Sequence, residues 1–272
     1  MRSDPRLTVR MISNVLSLNF QSFHEILTFE LGMQKICAKL VPKILTNEQK
    51  ENQRNVCLDL LERIENNKKV FKHVITDDEM WIFEYGPDTK RQRLEWHTSN
   101  SLRPKKARMR KSKMKTMPIC FFNSQGVVHK EYVPPGQTVN KQYYREVLER
   151  LRKRVHRVRP DIADTSMLHH DNAPCHTAIS VKEFLAKNIF RWLRSHHTRL
   201  MSSCDFFLFP KLKFHLKGRH FGTVDNIHKV VTDQLRALLH EHFQHCYREW
   251  EQRLRRCVVS QGNYFEGDNV DL

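Results

Sequence analysis

The chain has 272 residues and a mass of 32.6 kDa, with 47 lysines and arginines against 30 acids, a net charge of +17 and a pI near 9.7. That length holds one large domain or a core domain with a small module, and a hydrophobic fraction of 39% is enough to fold, which excludes a disulfide miniprotein and a wholly disordered chain. The positive excess favours polyanions by counterion release, nucleic acid first and an anionic membrane surface second.

No run approaches the roughly 18 consecutive apolar residues of a membrane span. Ile119 to Phe122 and Phe206 to Phe209 are strand-sized. The charged start, Met1-Arg2-Ser3-Asp4-Pro5-Arg6, lacks the apolar core of a secretory signal, so the expectation is an intracellular protein with reduced thiols. The seven cysteines agree: an odd number without a C-x-x-C pair fits neither a disulfide framework nor a thiolate zinc site.

In chain order, residues 7 to 32 read as two short helices. Leu7, Val9, Met11, Ile12, Val15 and Leu16 form one apolar face, Phe23, Ile26, Leu27 and Leu31 a second, and Gly32 stops the pair. The spacing suits a helix-turn-helix or an ordinary packing hairpin. Residues 35 to 69 read as a basic linker that ends in a polar helical stretch. A domain is expected to begin at residue 70, with strands over Val70–Thr76 and Arg91–His97. Met117–Asn123 and Val127–Val133 then read as a hairpin turned by Ser124-Gln125-Gly126. Asn140 to Val158 has helical period, with Tyr144, Val147, Leu148, Leu151, Val155 and Val158 on one face. A strand over Ser166–His170, a helix over Thr177–Lys187, a strand over Ile189–Leu193 and a mainly helical remainder complete the order. Hairpin sheet, helix, strand, helix, strand and helices predict an α/β domain.

Carboxylates at the ends of separate strands are what phosphodiester chemistry needs to hold hard divalent cations. Asp77-Asp78-Glu79 follows one strand, Asp171 another, and Asp205 precedes Phe206-Phe207-Leu208-Phe209. A lone aspartate in such a place is as well explained by a turn or a helix cap, so the combination carries the argument. His169, His170 and His176 offer a zinc alternative, opposed by strand alternation, which turns His169 and His170 to opposite faces, and by the absence of H-E-x-x-H. His240, His242, His245 and Cys246 read as the surface of a helix. The densest basic run has eight cations in thirteen positions, namely Arg103, Lys105, Lys106, Arg108, Arg110, Lys111, Lys113 and Lys115. It suits phosphate contact without sequence readout, or a nuclear-import signal. No glycine loop for a nucleotide phosphate and no G-x-S-x-G nucleophile elbow occurs.

His170-Asp171-Asn172-Ala173-Pro174 with His176-Thr177-Ala178, and downstream Cys204-Asp205-Phe206-Phe207-Leu208-Phe209-Pro210, strongly resemble mariner transposases. Thr76-Asp77-Asp78-Glu79-Met80-Trp81 is similar to the family's T-G-D-E-x-W, residues 133–140 to its V-P-P-G-x-T-V-N, and Lys217-Gly218-Arg219-His220-Phe221 to its K-G-x-x-F. Leu7 to Leu31 is similar to the second of the family's two helix-turn-helix units, and Leu40-Val41-Pro42-Lys43 stands where its linker motif falls. The resemblance covers nearly the whole chain. It implies an RNase H-like core, a mixed sheet flanked by helices, preceded by a small all-α helix-turn-helix module. Residues 1–34 would be that module, 35–69 the linker and 70–272 the core. By motif, Asp78, Asp171 and Asp205 would be the catalytic aspartates and the ligands of magnesium or manganese. Double-stranded DNA is the implied partner, a homodimer the implied assembly and the nucleus the implied location, with no membrane and no small-molecule substrate.

Several departures from the family pattern carry expectations of their own. The family's first helix-turn-helix unit has no counterpart, which should weaken end recognition and subunit pairing. Ninety-two residues separate Asp78 from Asp171, as in the family, but thirty-three separate Asp171 from Asp205, one fewer than its pattern. Where the family reads Y-S-P-D-L-A-P, this chain reads His197-Thr198-Arg199-Leu200-Met201-Ser202-Ser203, without the prolines that stiffen the approach to the last aspartate. Asp77 in place of glycine predicts a like charge beside Asp78 and a strained backbone. These changes predict a DNA-binding transposase with impaired cleavage and strand transfer. The alternative is a non-catalytic nucleic-acid-binding protein retained by its host.

Overall fold

A computed structural model describes residues 7–17, 19–34, 41, 43–67, 69–90, 92, 94–98, 101–102, 104–187, 191–192 and 202–265. The chain divides into two compact units at Ile44/Leu45.

In the first unit, helix α1 (Val9–Leu16) is followed by α2 (Phe20–Glu25), which runs on into a π-type turn, Ile26–Glu30. Thr8 caps α1 by accepting from the Met11 amide at 3.2 Å, and Asn19 caps α2 by accepting from Gln21 at 2.8 Å. Between them Ser17 takes φ 52°, so a serine makes the left-handed turn for which glycine is usual. The expected apolar faces are only partly used. Ile12, Phe23 and Leu27 form the core with Leu7 and Val9 against it, whereas Met11, Val15, Leu16, Ile26 and Leu31 stay exposed. Two short helices meet along one line of side chains, and three residues fill it.

The second unit begins inside the segment expected to be a linker. Helix α3 (Asn47–Asn66) opens on a capping box, with the Thr46 hydroxyl accepting from the Gln49 amide and the Gln49 side chain accepting from the Thr46 amide. It buries Gln53 and Val56 and places Cys57, Leu60, Leu61 and Ile64 in the main core, which corrects the linker reading of 35–69 over these residues. The strand expected from residue 70 is corrected as well. Val70–His73 forms a helical turn, α4, that sets the Phe71 ring 5.4 Å from Tyr247 and 5.5 Å from Trp250, and strand β1 (Val74–Glu79) starts after it.

Strand β2 (Ile82–Phe83) continues along the same edge of β3 (Lys115–Asn123) that β1 occupies, in unbroken register from Thr76↔Phe122 to Phe83↔Lys115. No strand forms among the described residues of 91–97, where Leu94 and Trp96 point into solvent with no neighbouring strand to pair. Strand β4 (Gly126–Val133) closes the expected hairpin on the other edge of β3, turning at Gly126 with φ 129°. Helix α5 (Lys141–Val158), capped by Asn140, returns to strand β5 (Met167–His169), which pairs parallel to β1. Two short helices, α6 (Pro174–Thr177) and α7 (Ile179–Lys187), lead to strand β6 (Arg191–Trp192), parallel to β5; the other residues of the expected strand 189–193 lie outside the described ones. A π-type turn (Cys204–Leu208) and helices α8 (Phe209–Leu216), α9 (Val224–Arg236) and α10 (His240–Val259) follow. Cys246, expected on a helix surface, is buried.

The sheet is thus antiparallel across β4, β3 and β1 and parallel across β1, β5 and β6, with helices on both faces: an RNase H-like core. Val74, Cys120 and Phe122 face α3, α9 and α10, while Ile75, Ile119, Phe121 and Leu168 face α5 and α7. No helix among the described residues is long and apolar enough to cross a membrane.

Candidate functional site

Strand alternation sorts the acidic residues of β1. Asp77 and Glu79 share the α5 face with Ile75, and Asp78 shares the opposite face with Val74 and Thr76. Asp77 is 2% exposed; its Oδ2 accepts from the Tyr144 hydroxyl at 2.9 Å, and its Oδ1 has no hydrogen-bond partner. Burial pushes its carboxyl up to about 8, with Glu79 and Asp171 adding to the effect and His176 opposing it. The two side chains leave the strand on opposite sides, which separates the like charges expected to stand side by side. The expected strain is absent: among the described residues the non-glycine positions with positive φ are Ser17 and Gln261, and Asp77 lies in regular strand.

Asp78 faces the π-type turn that carries Asp205. Burial, then Asp205, then Glu79 raise the Asp78 carboxyl to about 8, and Asp171 adds a smaller effect in the same direction. Its Oδ1 accepts from the Glu79 amide at 2.7 Å. Asp205 is half-buried, and its own amide donates to Ser202 O at 3.1 Å. Of the stretch expected to loosen this aspartate, His197 to Met201 lie outside the described residues.

Asp171 stands two residues beyond β5, which is parallel to β1 with Thr76 opposite His169. The exposed Asp171 accepts from the Ala173 amide at 2.9 Å and from His176 Nδ1 at 2.7 Å, both at Oδ1. Burial would raise this carboxyl, but those two hydrogen bonds and the nearby histidines hold it below its ordinary value. His176 is 1% exposed and reaches Glu79 Oε1 with Nε2 at 3.3 Å. Burial opposes its charge, yet hydrogen bonds with Asp171, Cys175 and Glu79 hold it well above the ordinary histidine value. An imidazolium thus ties the end of β5 to the end of β1.

Asp78 and Asp205 meet on one face of β1, with Asp171 close enough to act on both Asp77 and Asp78. Sequence reasoning missed a second grouping. Asp77, Glu79 and His176 hold one ligand atom each within 4.8 Å of one another on the other face. The parity of Asp77 and Glu79 with Ile75 was a signal for it, and Tyr144, taken as part of an apolar face, is the partner that fixes it. His169 packs on Trp250 at 4.8 Å and His170 lies 6.2 Å from Tyr144, so the two are on opposite faces as alternation requires. Burial lowers the His170 ring to about 4.

Of the basic run, Arg103 lies outside the described residues, and Lys105, Lys106, Arg108, Arg110, Lys111, Lys113 and Lys115 are exposed. Lys106 pairs with Asp88, Lys111 lies 4.8 Å over Phe83 and Lys115 lies 3.8 Å over Trp81. The run enters β3 at Lys115, opposite Phe83 and beyond the Glu79↔Ile119 pair. It therefore joins the sheet at the end where the carboxylates stand.

The mixed sheet flanked by helices places the core in the class of RNase H-like folds. A family model described as "Transposase (partial DDE domain)" matches residues 86–165. The Mariner Mos1 transposase of Drosophila mauritiana is 27% identical over 270 residues, which cover 97% of this chain and 76% of that protein. A solved Mos1 mariner paired-end complex with Mn superposes with a TM-score of 0.82 at 27% identity, over 97% of this chain and 77% of that one. The histone-lysine N-methyltransferase SETMAR of Homo sapiens is 21% identical over 267 residues, 97% of this chain but 38% of that protein. Over nearly its whole length the chain is thus similar to mariner transposases.

Proposed function

We propose that the chain binds double-stranded DNA as a mariner-type transposase, with Asp78, Asp171 and Asp205 as its catalytic aspartates, and with cleavage and strand transfer at transposon ends impaired. The observation that carries the assignment is the mutual approach of Asp78 and Asp205 beside Asp171, three carboxylates from separate elements at one end of the sheet. An all-oxygen donor set suits magnesium or manganese. Asp78 fits the same reading, since a carboxyl raised to about 8 by burial and by a neighbouring carboxylate is the group a bound cation would relieve. Divalent ions held there would stabilise the attacking and leaving oxygens of a phosphodiester.

The residues of the chain prepare that site. His176 keeps Asp171 ionised and fixes its orientation. The hydrogen bond from the Glu79 amide orients Asp78, and the exposed cations 105–115 approach the sheet end where a DNA backbone would lie. The solved Mos1 paired-end complexes with Mn and with Mg, and the Mos1 strand transfer complex, support this reading of metal, DNA and a paired assembly. The helical unit of α1 and α2 is read as a DNA-binding module, the basic run also as a nuclear-import signal, and the active assembly as a homodimer.

Impairment rests on the stretch before Asp205, which lacks the prolines and aspartate of the family pattern. A displacement of about 1 Å at a reacting group can lower a rate on the order of 100-fold. The test is nicking of supercoiled plasmid bearing a mariner-type terminal repeat, with magnesium and then manganese, beside Asp171→Ala. Weak nicking by the parent that the variant lacks supports an impaired enzyme, and robust nicking refutes the impairment. Equal DNA binding with no nicking by either protein supports the second reading, a non-catalytic binder.

A further inference from the structure

The free edge of β4 lies in a groove of about 900 Å3, walled on one side by α5 and on the other by α9 and the start of α10. Six of its lining residues are lysine or arginine: Lys130, Arg150, Lys153, Arg154, Arg157 and Arg236; none is aspartate or glutamate. On α5 the four cations fall at positions i, i+3, i+4 and i+7, one face of the helix, over about 10 Å of axis. Their acidic neighbours neutralise only part of this charge. Glu131 takes Arg150 at 2.8 Å and His129 at 3.0 Å, and Glu149 lies 3.8 Å from Lys153. Arg154 is half-buried and donates from Nε to the Val128 carbonyl at 3.3 Å, which fixes its guanidinium at the wall, while Arg157 and Arg236 are exposed.

Lys130 supplies an independent observation. It is half-buried on the floor of the groove, where its Nζ bonds Thr232; burial, the largest effect, lowers its affinity for a proton, Cys120 opposes it, Arg236 lowers it further, and Asp233 opposes these only in part. A cation held beside a second cation in a partly desolvated cleft is stabilised by an anion that enters from outside.

We propose that this groove is a second binding site for the phosphodiester backbone of DNA, separate from the carboxylates and from the basic run 105–115. Arginine dominates it, and the planar guanidinium fork matches phosphate oxygens. The row on α5 covers about three base-pair steps of rise along a duplex axis at 3.4 Å each, long enough to reach more than one phosphate of a strand. An acidic protein segment laid along the β4 edge is the competing occupant. The choice of DNA rests on the function proposed above; the presence of an anion site does not.

The test measures anisotropy of a fluorescein-labelled duplex of arbitrary sequence against sodium chloride, in EDTA so that cleavage plays no part. The parent is compared with Arg157→Ala/Arg236→Ala, both exposed positions, and with Lys105→Ala/Arg108→Ala. Thermal denaturation checks that the parent and every variant, the combined one included, fold alike. The expected result is a fall in affinity on the order of 10- to 100-fold near 0.1 M salt for the groove variant, and a log–log salt slope shallower by about 1.8. Lys105→Ala/Arg108→Ala combined with the groove variant should lower the slope again, as separate sites require. An unchanged slope in the groove variant overturns the proposal. So does a groove that polyglutamate of equal charge occupies as tightly as DNA does, since that result assigns it to an acidic protein. Loss of nicking in Asp171→Ala tests the catalytic reading alone and leaves this result unaffected.

Discussion

Tyr144 donates its hydroxyl hydrogen to Asp77 Oδ2 at 2.9 Å, so a helix-borne phenol supports a buried strand carboxyl that has nothing on its other oxygen. Burial raises Asp77 from its ordinary 3.8 to about 8, which means that the folded chain binds this proton more tightly than the unfolded chain. The contribution is therefore fully favourable at low pH, and is lost as pH rises from about 4 through about 8. Asp77→Asn, which keeps an acceptor for Tyr144, should gain stability relative to the parent over that window. The gain, measured as the difference in Tm, should be several degrees larger at pH 8.5 than at pH 5. A difference independent of pH would assign the titration to another group.

His176 joins two chain segments ninety-seven residues apart through charge-assisted hydrogen bonds. His176→Ala should cost about 2 kcal/mol, a figure reduced from that of a fully buried pair because Asp171 is 49% exposed on its side chain. A histidine raised in the fold confers stability that is complete below its ordinary 6.5 and is lost as pH rises through the raised value. Urea unfolding at pH 6 should show the full cost. An unchanged midpoint there would remove His176 from the account.

Magnesium should stabilise the protein more at high pH than at low. A cation at Asp78 must displace a proton held up to about 8, so the thermal shift produced by millimolar magnesium should grow from pH 6 to pH 9. Asp78→Asn should flatten that dependence. A shift that is the same at both pH values, or unaltered in the variant, would place the ion elsewhere.

Helix α5 should be sensitive at its cap and its buried face by different amounts. Asn140→Ala removes the acceptor of the Gln142 and Tyr143 amides and should cost about 1 kcal/mol. Leu148→Ala empties a fully buried position and should cost about 2–5 kcal/mol. Chemical denaturation of the two variants side by side checks the order.

Where one physical signal dominated, the sequence was readable. The 3.6-residue spacing of Tyr144, Val147, Leu148, Leu151 and Val155 marks the buried face of α5, and the turn at Gly126 marks the β3–β4 hairpin. The stretch of helix α3 reads as helical, but its polar surface put it in the linker rather than the core, although Thr46 and Gln49 carry the capping-box spacing and Val56, Leu60 and Ile64 its inward stripe. Alternation at Arg91–His97 suggested a strand that has no partner to pair with, a fact of tertiary structure. The three motif aspartates were visible by position. The orientation of Asp77 toward Tyr144, and the role of His176 between Asp171 and Glu79, depend on which helix covers which face of the sheet, and no local pattern states that.

The parallel pairing of β1 with β5 has a consequence for the order of assembly. The β3–β4 hairpin closes over two residues, Ser124 and Gln125, whereas Thr76 meets His169 at a sequence separation of ninety-three. Local pairings form early in folding and distant parallel ones late, because the loop must close before its contacts stabilise it. A nascent chain released before β5 would fold its hairpin and still hold Asp78 without Asp171. Any cation affinity that depends on both is therefore acquired in the last stage of folding, and is the first property a destabilised chain would lose.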